Sequence, residues 1–170
     1  MVVVADSSPL NYLILIDAAQ VLTELFIQVA VPDAVYRELQ HPSTPSKVAL
    51  WMGQRPAWLG ILRPATPIEG ERLERLGSGE REAIALCLQY RTGTLLLIDE
   101  EKGRREAERR QIRVMGILGV LDMAAARDLI DLPSAVERLL QTTFYVKPVL
   151  LKTLLEADAQ RKKSSQTRRL

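Results

Sequence analysis

Two aliphatic runs in this 170-residue chain, VVVAD at 2–6 and TLLLID at 94–99, each stop on an aspartate and give way to a helical pattern. A short, continuous run of β-branched and aliphatic residues suits a strand buried on both faces, and such strands belong to parallel sheets covered by helices. The recurrence of strand, carboxylate and helix predicts an α/β fold, a single domain with a mostly parallel central sheet flanked by helices. At 47% hydrophobic residues the chain can bury one sizeable core but is short for two.

The remaining pattern fills in that sheet. Strands are expected at Val2 to Ala5, across FIQVAVP at 26–32, at ILRP from 61 to 64, across TLLLID, and at IRVMG from 112 to 116. Ser7 or Ser8 is expected to cap the first helix, with Pro9 in its first turn. Pro32 and Asp33 open a helix that carries Val35, Glu38 and Leu39, and HPSTPS from 41 breaks it. Further helices are expected over 47–59, 68–76, 80–91, 100–111, 117–129, 133–142 and 147–160, with GSG at 77–79 separating two of them and Gly93 ending the 80–91 helix.

Composition narrows the chemistry. Cys87 is the one cysteine and lies in the apolar stretch AIALCLQY, which favours a small buried hydrophobe over a reactive thiol and excludes a disulfide framework. His41 is the one histidine and sits in a polar loop, so multi-histidine metal sites are excluded and a Ser-His-Asp triad is disfavoured. No apolar stretch reaches the roughly 18 residues that a bilayer span needs, and no basic region precedes the first hydrophobic run. A cytoplasmic location without membrane contact is the expectation. The net charge is +2, yet five Arg/Lys and no acid fall in the last ten residues, RKKSSQTRRL. A compact domain over 1–159 is therefore expected to carry a basic, disordered tail over 160–170. As a functional alternative, Arg161, Lys162, Lys163, Arg168 and Arg169 form a phosphate-binding arm.

In open parallel sheets, sites form beyond the carboxyl ends of the strands, where Asp6 and Asp99 both stand. Either alone reads as a helix cap; two in register read as a site. Glu80 in the first turn of one helix and Glu38 on the Val35 face of another could converge with them. Converging carboxylates repel and are costly to desolvate, so a cation normally holds them together. Oxygen ligands without His or Cys favour Mg²⁺ or Mn²⁺.

The segments VVVADSSPL, VYREL, GEREAIALC and LLLIDEEKGRREA, in that order over about the first 120 residues, resemble the acidic motifs of the PIN domain, the nuclease fold of VapC-type toxins. GILGVLDMAAARDLI resembles the same family's helical continuation, and GE-x-x-AI followed by ID-x-x-x-GR is similar to a prokaryotic PIN-like branch. The resemblance implies a metal-dependent ribonuclease that hydrolyses phosphodiester bonds in RNA, and a toxin role in a VapBC-like pair. It matches Asp6, Glu38, Glu80 and Asp99 to the four catalytic acids, with Asp6, Asp99 and Glu80 holding Mg²⁺ or Mn²⁺. A small antitoxin protein and a homodimer are the partners it implies besides RNA.

Two positions depart from the toxin pattern. Glu82 stands where such toxins carry an aspartate before the Ile/Ala run, and Ile98 stands where they carry a threonine. Glu80 and Glu82 differ by about 200° around a helix, so they cannot easily enter one site, and Glu80 is favoured because Ile84 and Cys87 share its side. Ser7, Glu82 and Glu100 remain auxiliary candidates. Ser7 otherwise reads as a cap, and Glu100 and Glu101 as acids at a helix N-terminus. A receiver domain lacks its strand-end lysine here, and a haloacid-dehalogenase-type phosphatase lacks the second aspartate of D-x-D. The serious alternative is a PIN scaffold that does not cut and serves as an RNA-binding or protein-interaction module. The distance between the four acids discriminates the two readings.

Overall fold

The computed structural model describes residues 2–70, 73–90 and 93–167. The chain divides into two compact units, Met1–Ile117 and Leu118–Leu170. Strands β1 (Val2–Ala5), β2 (Val29–Pro32), β3 (Leu59–Leu62), β4 (Thr94–Leu97) and β5 (Arg113–Met115) all lie in the first unit. Between them run helices α1 (Ser7–Leu15), α2 (Val21–Leu25), α3 (Asp33–Glu38), α4 (Ser46–Gly53), α5 (Ser78–Tyr90) and α6 (Glu101–Arg109).

Among the described residues every strand pairing is parallel, and the order across the sheet is β3-β2-β1-β4-β5. The chain thus winds outward in one direction from β1 to β3 and in the other from β4 to β5. The crevice of such a sheet opens where the direction reverses, beyond the carboxyl ends of β1 and β4. These two strands are in register from Val2 opposite Thr94 to Ala5 opposite Leu97, and the Asp6 N–H extends the pairing by donating to the Leu97 carbonyl at 2.9 Å.

The aliphatic runs are buried as a two-sided sheet demands. Val3, Val4, Ala5, Leu95, Leu96 and Leu97 are all in the core, where each large side chain contributes about 1.5–3 kcal/mol of transfer free energy. Helix α5 places Ala83, Ile84, Leu86 and Cys87 in one cluster with Val4, Ala30, Leu96 and Ile98. The Cys87 thiol is pushed up to about 12 by burial, so it packs as a hydrophobe and stays un-ionised at neutral pH.

Several local expectations shift. Asp6, not a serine, occupies the N-cap position of α1, and Ser7 and Ser8 are its first helical residues. Strand β2 begins at Val29 and not at Phe26, since residues 26–28 form a connection in which Ile27 is exposed to solvent. Of the helix expected over 68–76, residues 68–70 are not helical, 71 and 72 lie outside the described residues, and Leu73–Arg75 form one tight helical turn. Gly70, at φ 139°, lies in a backbone region that side chains rarely adopt and helices never use. Ser78 and Gly79 belong to α5 and do not precede it.

The second unit contains most of α7 (Ile117–Ala126), then α8 (Leu132–Leu140) and α9 (Pro148–Thr167). The basic segment expected as a disordered tail from residue 160 continues α9 as far as Thr167. Its first two cations have partners inside this unit. Arg161 donates to Asp122 at 2.8 Å and to Asp158 at 3.0 Å, and Lys162 pairs with Asp131 at 2.9 Å and Asp158 at 3.1 Å. The spacing from Asp158 to Arg161 and Lys162 is the i, i+3 and i, i+4 geometry of one helix face. Lys163 is exposed on the same helix, and Arg168 and Arg169 lie outside the described residues. Among the described residues no helix is long and apolar enough to cross a membrane.

Asp158 is 2% exposed and is held ionised by its two cationic partners. Asp158→Ala should therefore cost about 1.5–3 kcal/mol in urea unfolding, the range for hydrogen bonds to charged groups, while Lys163→Ala on the same helix should change little.

Candidate active site

Three backbone features converge on the carboxyl edge of the sheet: the end of β1, the end of β4 and the first turn of α5. Each presents an acid. Asp6 follows β1 and is 4% exposed; Asp99 stands two residues beyond β4; Glu80 lies in the opening turn of α5. Glu38, the last residue of α3, comes against that same turn. Its Oε1 accepts from the Gly79 N–H at 3.0 Å and from the Ser78 hydroxyl at 3.1 Å.

The acids share a pattern of support. Asp99 Oδ1 accepts from the Ile117 N–H at 3.0 Å, and Glu80 Oε2 accepts from the Gly77 N–H at 2.8 Å. In both, one oxygen is fixed by backbone and the other is left over. Asp99 Oδ2, Glu80 Oε1 and Asp6 Oδ1 are buried and accept no hydrogen bond. A buried carboxylate oxygen without a donor is expensive, and three of them at one edge call for a positive charge or a proton.

The electrostatics agree. Burial raises the Asp6 carboxyl to about 7; the Ser7 backbone N–H opposes this, and Glu80, Glu38 and Asp99 add to it in that order. Glu80 is raised by burial and by Glu100 and Glu38, against the Gly77 N–H and Lys102. Asp99 is raised by burial, against the Ile117 N–H and Arg104. Burial thus raises all three acids, and repulsion from neighbouring carboxylates adds to it at Asp6 and Glu80, so the edge resists carrying its full negative charge.

Glu82 points elsewhere. Its Oε2 accepts from the Ala34 N–H at 2.9 Å, at the start of α3, and Arg37 lies 4.0 Å from its other oxygen. It serves as a helix-end acceptor, as the two helix faces demand. Ser7 lines a cavity of about 350 Å³ together with Glu38, Asn11 and Thr44. Glu100 occupies the N-cap position of α6 and makes no side-chain capping bond there, yet it is near enough to raise Glu80. Glu101 pairs with Arg105 one turn along α6.

Residues without a role in the sequence reading complete the edge. A Cβ on Gly103 would come within 2.3 Å of Glu80 Oε1, and one on Gly79 within 2.8 Å of Glu38 Oε2, so neither position admits a side chain without displacing an acid. Arg104 donates to the Ile98 carbonyl at 2.9 Å and sits near Asp99, holding the turn between β4 and α6. The available signal was the GR pair inside ID-x-x-x-GR, Gly103 and Arg104.

Oxygen donors alone, three of them unsatisfied, are the chemistry that Mg²⁺ or Mn²⁺ takes, and Asp6, Glu80 and Asp99 would hold it. Among the described residues no three His, Cys, Asp or Glu are already spaced to ligate one ion together. The two observations are compatible for Mg²⁺, which keeps several waters and needs only one or two carboxylates directly.

The raised Asp6 carboxyl makes metal-free stability depend on pH. The native state keeps a proton that the unfolded chain releases near 3.8, so the contribution of Asp6 is fully present below about 3.8 and is lost as pH rises to about 7. In EDTA, the melting temperature of wild type should fall across this window relative to Asp6→Asn; parallel curves would show that Asp6 is not the titrating group.

A search of curated proteins finds no match to the chain. The family model DUF3368, described as a PIN domain, matches residues 2–160. The all-parallel sheet with acids at its carboxyl edge and a match over nearly the whole length agree, and the chain belongs to the PIN-domain family, a nuclease-type fold.

Proposed function

We propose that the protein is a metal-dependent endoribonuclease whose site is Asp6, Glu38, Glu80 and Asp99. The observation that carries this reading is the set of three buried carboxylate oxygens, on Asp6, Glu80 and Asp99, that accept no hydrogen bond. Stability alone would select against such an arrangement. A nuclease has a use for it, since a phosphodiester carries negative charge and must be brought to acids that would otherwise repel it.

The roles divide by geometry. The Ile117 N–H holds Asp99 through Oδ1 and leaves Oδ2 without a donor, and the Gly77 N–H holds Glu80 through Oε2 and leaves Oε1 without one. Both carboxylates are thus fixed in place by backbone, which favours electrostatic preorganisation. Glu38, tied to the start of α5 by Gly79 and Ser78, fixes that turn and adds negative charge beside Asp6. Asp6, buried just past β1 with an oxygen that accepts no hydrogen bond, completes the set that would hold a cation. When bound, a divalent cation supplies positive charge to the scissile phosphate and lowers the pKa of an attacking water.

The spacing of the acids favours a second reading, a PIN scaffold that binds RNA or protein without cutting. Cleavage separates them. Purified protein with labelled RNA should produce internal cuts in Mg²⁺ or Mn²⁺ and none in EDTA. Asp6→Asn, Asp99→Asn and Glu80→Gln should each lower the rate by at least a hundredfold, while Glu82→Gln should stay within a few-fold of wild type. RNA that binds but is never cut under any metal would establish the scaffold.

A toxin role held in check by a small antitoxin, with a homodimer as the working form, is the setting this reading proposes. Induced expression in a bacterial host should arrest growth with wild type and not with Asp6→Asn at equal protein level. Unimpaired growth with an active nuclease would remove the toxin role and leave the enzyme.

A further inference from the structure

The C-terminal cations were the sequence's candidates for phosphate binding, but Arg161 and Lys162 are engaged by Asp122, Asp131 and Asp158 within the second unit. A different basic surface lies in the first unit. A cleft of about 310 Å³ between the turn at Leu73–Arg75 and helix α6 is lined by Arg75, Leu76, Lys102, Arg105, Glu106 and Arg109. Four cations face one acid there, the buried Glu106, which takes up Arg109 at 3.3 Å together with Arg110 at 3.0 Å and leaves Arg75, Lys102 and Arg105.

Resting on the nuclease reading, we infer that this cleft holds backbone phosphates of the single-stranded RNA that reaches the acidic edge. Three observations carry it. Lys102, Arg105 and Arg109 recur at i, i+3 and i+7, so they form one stripe about 10 Å long on α6. The stripe begins at the acids, because Gly103, next to Lys102, packs against Glu80 Oε1 and Lys102 itself lowers the Glu80 carboxyl. The cations are also available. Arg75 and Lys102 are exposed and make no ion pair among the described residues, and Arg105 pairs with Glu101 in a contact where both side chains are more than half exposed. An exposed pair of that kind is worth little and gives way to a phosphate. A strand entering along α6 thus meets compensating charge immediately before the carboxylates that repel it.

The test is the salt dependence of binding, measured in EDTA so that the RNA stays intact, with an unstructured oligonucleotide. Arg75→Gln with Arg105→Gln leaves the acids and the buried Glu106 pair untouched. Lys152→Gln with Lys163→Gln removes equal charge from α9. Losing two phosphate contacts on a single strand lowers the slope of log K against log salt by about 1.4. Between about 50 and 200 mM salt, wild type should therefore lose about sevenfold more affinity than the cleft variant, and the α9 variant should follow wild type. DNA of the same sequence should respond alike, since phosphates and not sugars are held; an effect confined to RNA would overturn the phosphate assignment. Equal slopes for wild type and cleft variant would overturn the cleft while leaving the nuclease reading intact, and equal losses in both double variants would reduce it to net charge. A wild type that binds no RNA at any salt would overturn both.

Discussion

The pairing of β1 with β4 is the constraint from which the rest follows. These strands are separated by most of the first unit's chain, yet their register, closed by the Asp6 N–H on the Leu97 carbonyl, sets two aspartates side by side at the point where the sheet reverses its winding. Backbone geometry thus imposes a proximity that the side chains oppose. The strands supply the opposing free energy: their residues are buried on both faces, and the apolar area removed from water outweighs the repulsion at their ends. The acids also sit where backbone N–H groups are available, from Gly77, Gly79 and Ile117, so each gains a donor that costs the fold nothing further.

The sheet was legible in the sequence because its signal is local and strong. Four apolar runs contain their strands and the fifth, ILRP, overlaps β3 only at Ile61 and Leu62, because the helix expected over 47–59 stops at Gly53 and β3 starts at Leu59; VVVAD and TLLLID announced both the burial and the carboxylates. The ends of elements were less legible. Ser7 and Ser8 looked like caps by residue type, but the cap position went to Asp6, whose backbone is extended and whose side chain serves the edge instead. The charged 68–76 stretch read as a helix, yet Gly70 adopts a backbone conformation incompatible with one. Glu80 and Glu82 were separable by helix phase alone, whereas the partner that occupies Glu82, the start of α3, is distant in sequence and invisible to periodicity.

Charge was the least transferable quantity. A count assigns the excess of cations to the last ten residues, where composition concentrates them. In space, the acids of α7, α8 and α9 absorb Arg161 and Lys162, while α6, which alternates signs along the chain, sorts them around its axis and leaves a basic stripe on one side. Sequence averages over a helical turn what the fold separates by angle. The same sorting accounts for Glu106, an acid buried in a basic setting by its own i+3 and i+4 neighbours.

The glycines at 79 and 103 give the edge a vulnerability of an unusual kind. Each leaves the room in which a carboxylate stands, Gly79 donating its N–H there as well, and a Cβ would stand 2.8 Å from an oxygen at Gly79 and 2.3 Å from one at Gly103. In a library of random substitutions these positions would appear as intolerant as the acids themselves, and a reader of that tolerance map would infer chemistry where there is only clearance. The shape of this edge is written partly in absent atoms, so its history of permitted change is bound to be narrower than its count of reactive groups suggests.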